Sequence, residues 1–421
     1  MVSTFHGLEL GKRGLAVTQA SITTTGQNIA NANTKGYSRQ QVNASATPSL
    51  DVWTTGGKSG QLGTGVSLDS ITRVRDVFLD RQHHDQASTL GESQVKQQTF
   101  DRLETIINEP SKTGLSSSMD KLWAAWQDVA NEPKSSAAQT VLKERAIEFV
   151  NTAQAMDRDM TYAIDDLNLQ QTNTVRDANE LVKQIAELNG SIKKAGNQAN
   201  DLLDKRDLLV GELSTLASIK VTANADGTNN VSLRKADGTA GTELVKGDVQ
   251  SDSIVDGSEA SGGKLAGIIE SKAIVGKYQT ELANTVEQFV TANGLAAASA
   301  PGANLFTKEN AAFKVSELNA NLTISKDNPA QNANGDVSKV NKSFQSLVSE
   351  LGAQSQSATN SVKNNEAALL ATDNRRMSVT GVSLDEEMAN LIMYQHSYSA
   401  AARFVSTTDQ MLDVIINQMG R

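Results

Sequence analysis

Near the start of the chain Leu8, Leu15, Ile22 and Ile29 recur every seven residues, with Gly11, Thr18 and Thr25 between them. This is a heptad pattern, a helix with one apolar stripe whose alternate positions are small or polar. Small residues thin the stripe and let a second helix come close. At the far end Met388, Leu391, Gln395, Tyr398, Ala402, Val405, Asp409, Leu412, Ile416 and Met419 keep the same three-four spacing, with Gln395 and Asp409 as interruptions. Ile392, Phe404, Met411 and Ile415 lie off that stripe and form a second apolar face. A helix with two apolar faces requires more than one neighbour. Proline is absent before Pro48 and after Pro329. If the two ends pair as a coiled coil, everything between them is an excursion from that pair.

The interior is patterned mainly as helix. Met160, Ile164, Leu167, Gln171, Thr174, Ala178, Leu181, Ile185, Leu188 and Ile192 hold one stripe, in a helix expected to start after Pro133 and stop at Gly196-Asn197. Asn200 or Asp201 is placed to cap the next helix, "LLDKRDLLVGELSTLA". The texture then changes. "IKVTANADGTNNVSLRKADGTAGTELVKG" alternates and is cut by Asp226-Gly227 and Asp237-Gly238. Asp-Gly between alternating runs is a strong hairpin signal, so a three-stranded meander is expected over about 219–247. Large apolar residues are few in 219–256, which marks it as an insert. Helix returns over 262–293, a strand is expected at Asn321–Ser325, and helix resumes from about 337 to 370.

The expected fold is mainly α and nested. Residues 1–40 with 380–421 form an inner coiled coil, and 41–90 an extended or loop connection. A long helical middle domain takes 91–218, 257–295 and 337–379. Residues 219–256 with 296–336 form a small β-rich outer part.

Composition narrows what such a chain can do. Its 421 residues suggest roughly three domains. The net charge of −9, without a block of Lys and Arg, argues against nucleic acid or an anionic membrane as main partner. The absence of cysteine removes thiol catalysis, disulfides and cysteine-ligated metal. Aromatic residues are only 4% of the chain, so the core must come from Ala, Val, Leu and Ile, which suits helix packing. The opening "MVSTFHGLELGKRGLAV" has no continuous apolar core, so no cleaved secretory signal is expected. No run reaches the ~18 apolar residues of a membrane span, so no membrane insertion is expected.

The residues that could carry catalysis read as structural. Gly57-Lys58-Ser59 resembles part of a phosphate-binding loop, but Val52 stands where that loop needs its first glycine. His83 and His84 point about 100° apart on a helix and cannot easily share a metal; Asp80 and His84, at i and i+4, could face each other. His6 and His396 lie in the terminal helices. In "DLLDKRDLL" Asp201 precedes Lys205 by four residues, the favourable orientation for an ion pair within the helix. No enzyme, cofactor or metal is expected.

One stretch gives the pattern a context. The first heptad helix runs into "NIANANTKGYSRQ", where Asn31, Asn33 and Gly36 can end a helix in left-handed backbone. Together with "GVSLDEEMANLIMYQHSYSAAARFVSTTDQMLDVIINQM" it resembles the two end signatures of bacterial flagellar axial proteins, the rod, hook and hook-associated family. "GLSSSMDKLWAAWQDVANEP", "GNQANDLLDKRDLLVGELS" and "GKLAGIIESK" resemble the hook-associated members that join hook to filament.

The resemblance implies a secreted structural subunit of the flagellum, at the hook–filament junction and required for filament growth. It implies export through the flagellar type III apparatus with a chaperone, and assembly with itself, the hook protein and a second junction protein. Leu8, Leu15, Ile22, Ile29, Met388, Leu391, Tyr398, Val405, Leu412, Ile416 and Met419 would then be subunit-packing residues. Alternatives are another axial protein, namely the second junction protein, flagellin or hook protein, or a type III-secreted coiled-coil effector or adhesin.

Overall fold

The computed structural model describes residues 5–53, 59–196, 198–297, 304–310, 312–324 and 337–414. Helix α1 (His6–Ala30) is followed by strands β1 (Gln40–Ala46), β2 (Leu50–Trp53), β3 (Ser59–Leu62) and β4 (Val66–Arg73). Then come α2 (Val77–Ile107), α3 (Leu115–Asn131), α4 (Ser136–Ala195) and α5 (Asn200–Leu216). A sheet of β5 (Ile219–Ala223), β6 (Asn229–Arg234), β7 (Ala240–Lys246) and β8 (Val249–Gln250) leads to α6 (Gly263–Ala292). Short strands β9 (Leu295–Ala297), β10 (Phe306–Lys308) and β11 (Leu318–Ala320) precede α7 (Val337–Thr380) and α8 (Leu384–Asp413). The fold is mainly α, with small, chiefly antiparallel sheets.

Two hydrophobic cores share one helix. α4 is 60 residues long, roughly 90 Å at 1.5 Å per residue. Ser135 starts it, its hydroxyl accepting from Ala138 N–H, and Gly196 ends it at φ +86°. Its first half, including Leu142, Phe149, Met156 and Met160, packs with α2, α3, α6, α7 and the β10–β11 segment. Phe149 stacks tilted on Phe289 at 4.6 Å and meets Phe306 edge-on at 5.9 Å. Its second half, including Ala178, Val182 and Ile185, packs with α5, the start of α6 and the sheet β5–β8.

Several expectations need correction. Residues 41–90 are not an extended connection throughout. Asp76 caps α2 by accepting from Phe78 and Leu79 N–H, so helix begins at Val77. The β insert has four strands, because β8 returns after Gly247 at φ +59° to pair with β7. Both Asp-Gly turns are present, with Gly227 and Gly238 near φ +80°. Few as its large apolar residues are, the insert is part of the packed body, since Val231, Leu233, Leu244 and Val245 are buried in the second core. Nor do the two β regions form one outer part. β10 and β11 belong to the first core and β5–β7 to the second.

The late strand is Leu318–Ala320, three residues before the expected one, whose Ser325 lies outside the described residues. α7 runs on to Thr380, ten residues past expectation. α5 has Ala199 at its N-cap, not Asn200 or Asp201; the Asn200 amide nitrogen instead donates to Ile71 O and Gln40 Oε1.

Candidate assembly interface and its anchor

α1 and α8 lie side by side, and two glycines set their spacing. A Cβ built on Gly11 would sit 2.5 Å from Val405 Cγ2 and 3.2 Å from Phe404 Cδ1. One on Gly7 would meet Thr408 at 3.0 Å. The other flank of α1 carries a two-stranded arm. β1 and β4 pair antiparallel from Gln40↔Arg73 to Ala46↔Val66 and lie along the helix, with Gly65 against Leu10 and Arg13 Nη1 donating to Thr64 O at 3.4 Å.

This second neighbour shifts the buried stripe of α1. Gly11, Ser21, Thr24, Thr25 and Asn28 are buried, whereas Leu8, Leu15, Ile22 and Ile29 are only half-buried. Gly11→Val is expected to force the pair apart at a cost of about 1–3 kcal/mol. Gly14→Ala, with nothing within 4 Å of its Cβ, should be neutral or mildly stabilising. Protease cleavage rates at the chain ends check this, and equal rates for the two variants would refute it.

On α8, Leu391, Val405 and Leu412 are half-buried or buried on the α1 side. Met388 is not. It is 56% exposed on the outward side with Ile392 at 53% and Met411 at 60%. The buried position is taken by Glu387, whose carboxylate accepts from the Asn28 amide at 3.1 Å in the first turn of the helix, where the dipole favours an anion. Tyr398 sits at the margin, 37% exposed. Leu384 and Met393 extend the exposed apolar surface, whereas Phe404 lies against Gly11 of α1 and is half-exposed. Ile416 and Met419 lie outside the described residues.

The stretch after α1 is an anchor. Asn31 is the helix C-cap, with backbone φ −106°, and its amide donates back to Gln27 O. Asn33 is exposed, and only Gly36, at φ +82°, is left-handed in this stretch. Gly36 packs against Leu208 of α5. Asn28, 1% exposed, is the hub. Its amide donates to Gln40 O and Glu387, and its Oδ1 accepts from Tyr37 Oη and Gln40 N–H, both at 2.9 Å. Burial, with Asp204, Asp201 and Glu387 nearby, pushes the Tyr37 hydroxyl well above its ordinary pKa, so it stays a donor.

Next to it Ser38 gives its N–H and hydroxyl to Asp204 at 3.0 and 2.7 Å. Asp204 and Asp207 also receive Arg73 at 2.7 and 2.8 Å. Arg75 binds Asp80, Asp207 and the Ser38 hydroxyl. Burial works against the Arg73 charge, but Asp207 and Asp204 outweigh it and raise its pKa. Arg39 N–H donates to Thr380 O, the last residue of α7, and its guanidinium meets Glu386.

The chain's way out of the α1–α8 pair is thus pinned to α5 through Ser38, and its way back is pinned to the adjoining Arg39. The acidic residues of α5 therefore serve long-range pairs, not the pair expected within the helix; among the described residues Asp201 makes no ion pair with Lys205, and instead accepts from the Gln40 side-chain amide.

The histidines flank this anchor. His84 does not pair with Asp80, which binds Arg75 and lies 4.0 Å from Arg376. Burial, then His83 beside it, pushes His84 down to about 4. Burial and Arg376 lower His83. No group of three or more His, Asp or Glu suited to a metal occurs among the described residues.

The unfolded chain takes up a proton near 6.5, whereas folded His84 does so only near 4. The unfolded state therefore binds more protons in that window, and stability falls as pH drops through it, by up to roughly 3 kcal/mol. Asp80, its pKa raised by burial, acts in the opposite sense. Urea midpoints at pH 7 and 4.5 check this: His84→Gln should flatten the difference, and an unchanged difference would rule out His84 as its source.

Gly57 and Lys58 lie outside the described residues, so the glycine-rich loop carries no site here. Among the described residues no helix is long and apolar enough to cross a membrane.

The ends and the middle each match a known family. Residues 374–419 match the C-terminal model of flagellar basal body rod FlgEFG proteins, and residues 100–306 match the helical domain of flagellar hook-associated protein FlgK. The paired termini and helical middle are therefore those of a structural protein of the bacterial flagellum. Flagellar hook-associated protein 1 of Bacillus subtilis strain 168 is 30% identical over all of this chain and 99% of its own length. The chain belongs to the flagellar hook-associated protein 1 family, structural components of the bacterial flagellum.

The Salmonella typhimurium LT2 protein of that name is 28% identical over 52% of this chain and 40% of its own length. That of Escherichia coli K12 is 27% identical over 56% and 42%. The structure of the flagellar hook junction protein FlgK from Burkholderia pseudomallei overlaps 54% of this chain and 46% of its own, at 22% identity and a TM-score of 0.47.

Proposed function

We propose that this chain forms a ring between hook and filament, with α1–α8 pairs packed inside the tube wall and the helical middle outside. In this reading Leu8, Leu15, Ile22, Ile29, Leu391, Tyr398, Val405, Leu412, Ile416 and Met419 hold the pair and its close contacts. Met388, with Ile392 and Met411, faces the neighbouring subunit. The observation that supports this reading is the outward face of α8, an apolar surface opposite the side covered by α1. A lone helix pair gains nothing by exposing such a surface; a closed ring of copies buries it. The ring contacts the hook protein on one side and a second junction protein on the other. The subunit reaches its place through the flagellar type III export apparatus, accompanied by a chaperone.

Electron microscopy of a strain lacking the gene tests the assignment. Hooks without filaments are expected, with filaments restored by the intact gene and gold-labelled subunits at the hook tip. Full-length filaments in the deletion strain would overturn it.

A further inference from the structure

β5 is the edge of its sheet. Among the described residues it pairs with β6 alone, in unbroken register from Ile219↔Leu233 to Ala223↔Asn229. Arg234 N–H donates to Ser218 O, and Asn224 N–H to Thr228 O. Even-numbered residues therefore turn their backbone groups toward β6. By the alternation of an antiparallel ladder, the N–H and C=O groups of Ile219, Val221 and Ala223 point outward. No proline or bulge blunts this edge, so it is a template for another strand.

The space beside the edge is shaped and charged. A cavity of about 480 Å³ lies between β5 and the start of α2. Six cationic side chains line it against three carboxylates, in a chain whose net charge is −9. Arg73, Arg75, Arg206 and Arg234 are each held by an aspartate. Arg81 and Lys220 have no carboxylate partner among the described residues and face the same cavity. At its rim Val77 and Phe78 are 73% and 71% exposed, and the depression holding Phe78 shares Arg81 and Asp85 with the cavity.

We propose that β5 accepts an extended acidic segment of a partner protein as a fifth strand. The carboxylates of that segment meet Arg81 and Lys220, and an apolar side chain rests on Val77 and Phe78. This is β-strand addition, in which main-chain hydrogen bonds supply affinity and flanking side chains supply specificity. A second copy of this chain is the poorer occupant, since a two-fold pairing of β5 strands centred on Val221 sets Lys220 opposite Thr222, and β5 carries no carboxylate to meet Lys220 or Arg81. The proposal does not depend on where in the flagellum the subunit sits.

The probe is a labelled ten-residue peptide alternating Val or Ile with Glu or Asp, titrated into the full chain and read by fluorescence anisotropy. Binding is expected, with loss in Arg81→Glu/Lys220→Glu and for a peptide with lysine in place of the acids. Val221→Pro removes one outward N–H and no β5–β6 bond, as proline is tolerated on such an edge, and should weaken binding about tenfold. If Val221→Pro lowers the melting temperature, N-methylation of alternate peptide amides makes the same test from the ligand side. Equal binding by the N-methylated peptide would reduce the site to charge alone and overturn strand addition. Self-association by sedimentation, abolished in Val221→Pro, would assign the edge to a second copy and overturn the partner reading.

Discussion

Asp204→Ala should destabilise the chain by about 3 kcal/mol or more and loosen the terminal pair from the helical middle. The carboxylate is nearly inaccessible and satisfies three donors, Ser38 N–H, Ser38 Oγ and Arg73 Nη1. Removing it leaves Arg73 with Asp207 alone and an amide without its acceptor. Losing one partner of a buried ion pair costs about 3–5 kcal/mol, because the charge left behind is uncompensated. Here Asp207 at 2.8 Å keeps part of that compensation, which sets the estimate at the lower end. Asp201→Ala on the exposed side of the same helix should cost well under 1 kcal/mol. Urea denaturation of both variants gives the difference, and proteolysis at residues 31–39 reports whether the anchor has opened. Equal midpoints for Asp204→Ala and Asp201→Ala would remove the anchor from the account.

The double substitution Met388→Asp/Ile392→Asp should abolish incorporation while leaving the free subunit as stable as before. Both side chains are more than half exposed, so the monomer loses little, within about 0.5 kcal/mol as for ordinary surface changes. In an assembly the same positions would be buried. Burying a Met or Ile is worth about 1.5–3 kcal/mol, and burying an unpaired carboxylate costs far more. Every subunit of a ring carries the same defect.

Leu412→Asp is the contrasting variant. Leu412 is buried in the α1–α8 pair, so its replacement should destabilise the monomer's ends as well. Melting curves and microscopy of complemented cells separate the two. Normal filaments with the double variant would show that the outward face of α8 is not an interface.

The periodic signals in the sequence translated well into helices. Seven-residue spacing at both ends, the long stripe through Met160 and Ile185, and the two Asp-Gly turns all correspond to elements at the expected places. The failures share a cause. A stripe states which residues are apolar but not how many neighbours a helix has, so the arm on the far flank of α1 moved burial onto Ser21, Thr24, Thr25 and Asn28. Spacing within α5 favoured a local Asp201–Lys205 pair, whereas the partners that matter, Arg73 and Asp204, are 131 residues apart. Likewise Glu387 displaced Met388 from the inner face because Asn28, 359 residues away, offers it an amide. The polar hub was visible only as an asparagine-rich, tyrosine-containing stretch at a helix end. Nothing in its local pattern named α5 and α8 as its partners.

The length of α4 has a mechanical consequence. One uninterrupted helix forms part of both hydrophobic cores, so the two lobes have no loop between them along that path at which to hinge. Bending one lobe against the other requires bending the helix itself, against a ladder of backbone hydrogen bonds and two sets of packed side chains. The subunit is thus a strut. A twisting load on one lobe passes to the other along the helix axis. In the ring proposed above, such a subunit carries load along its body without a hinge between its lobes.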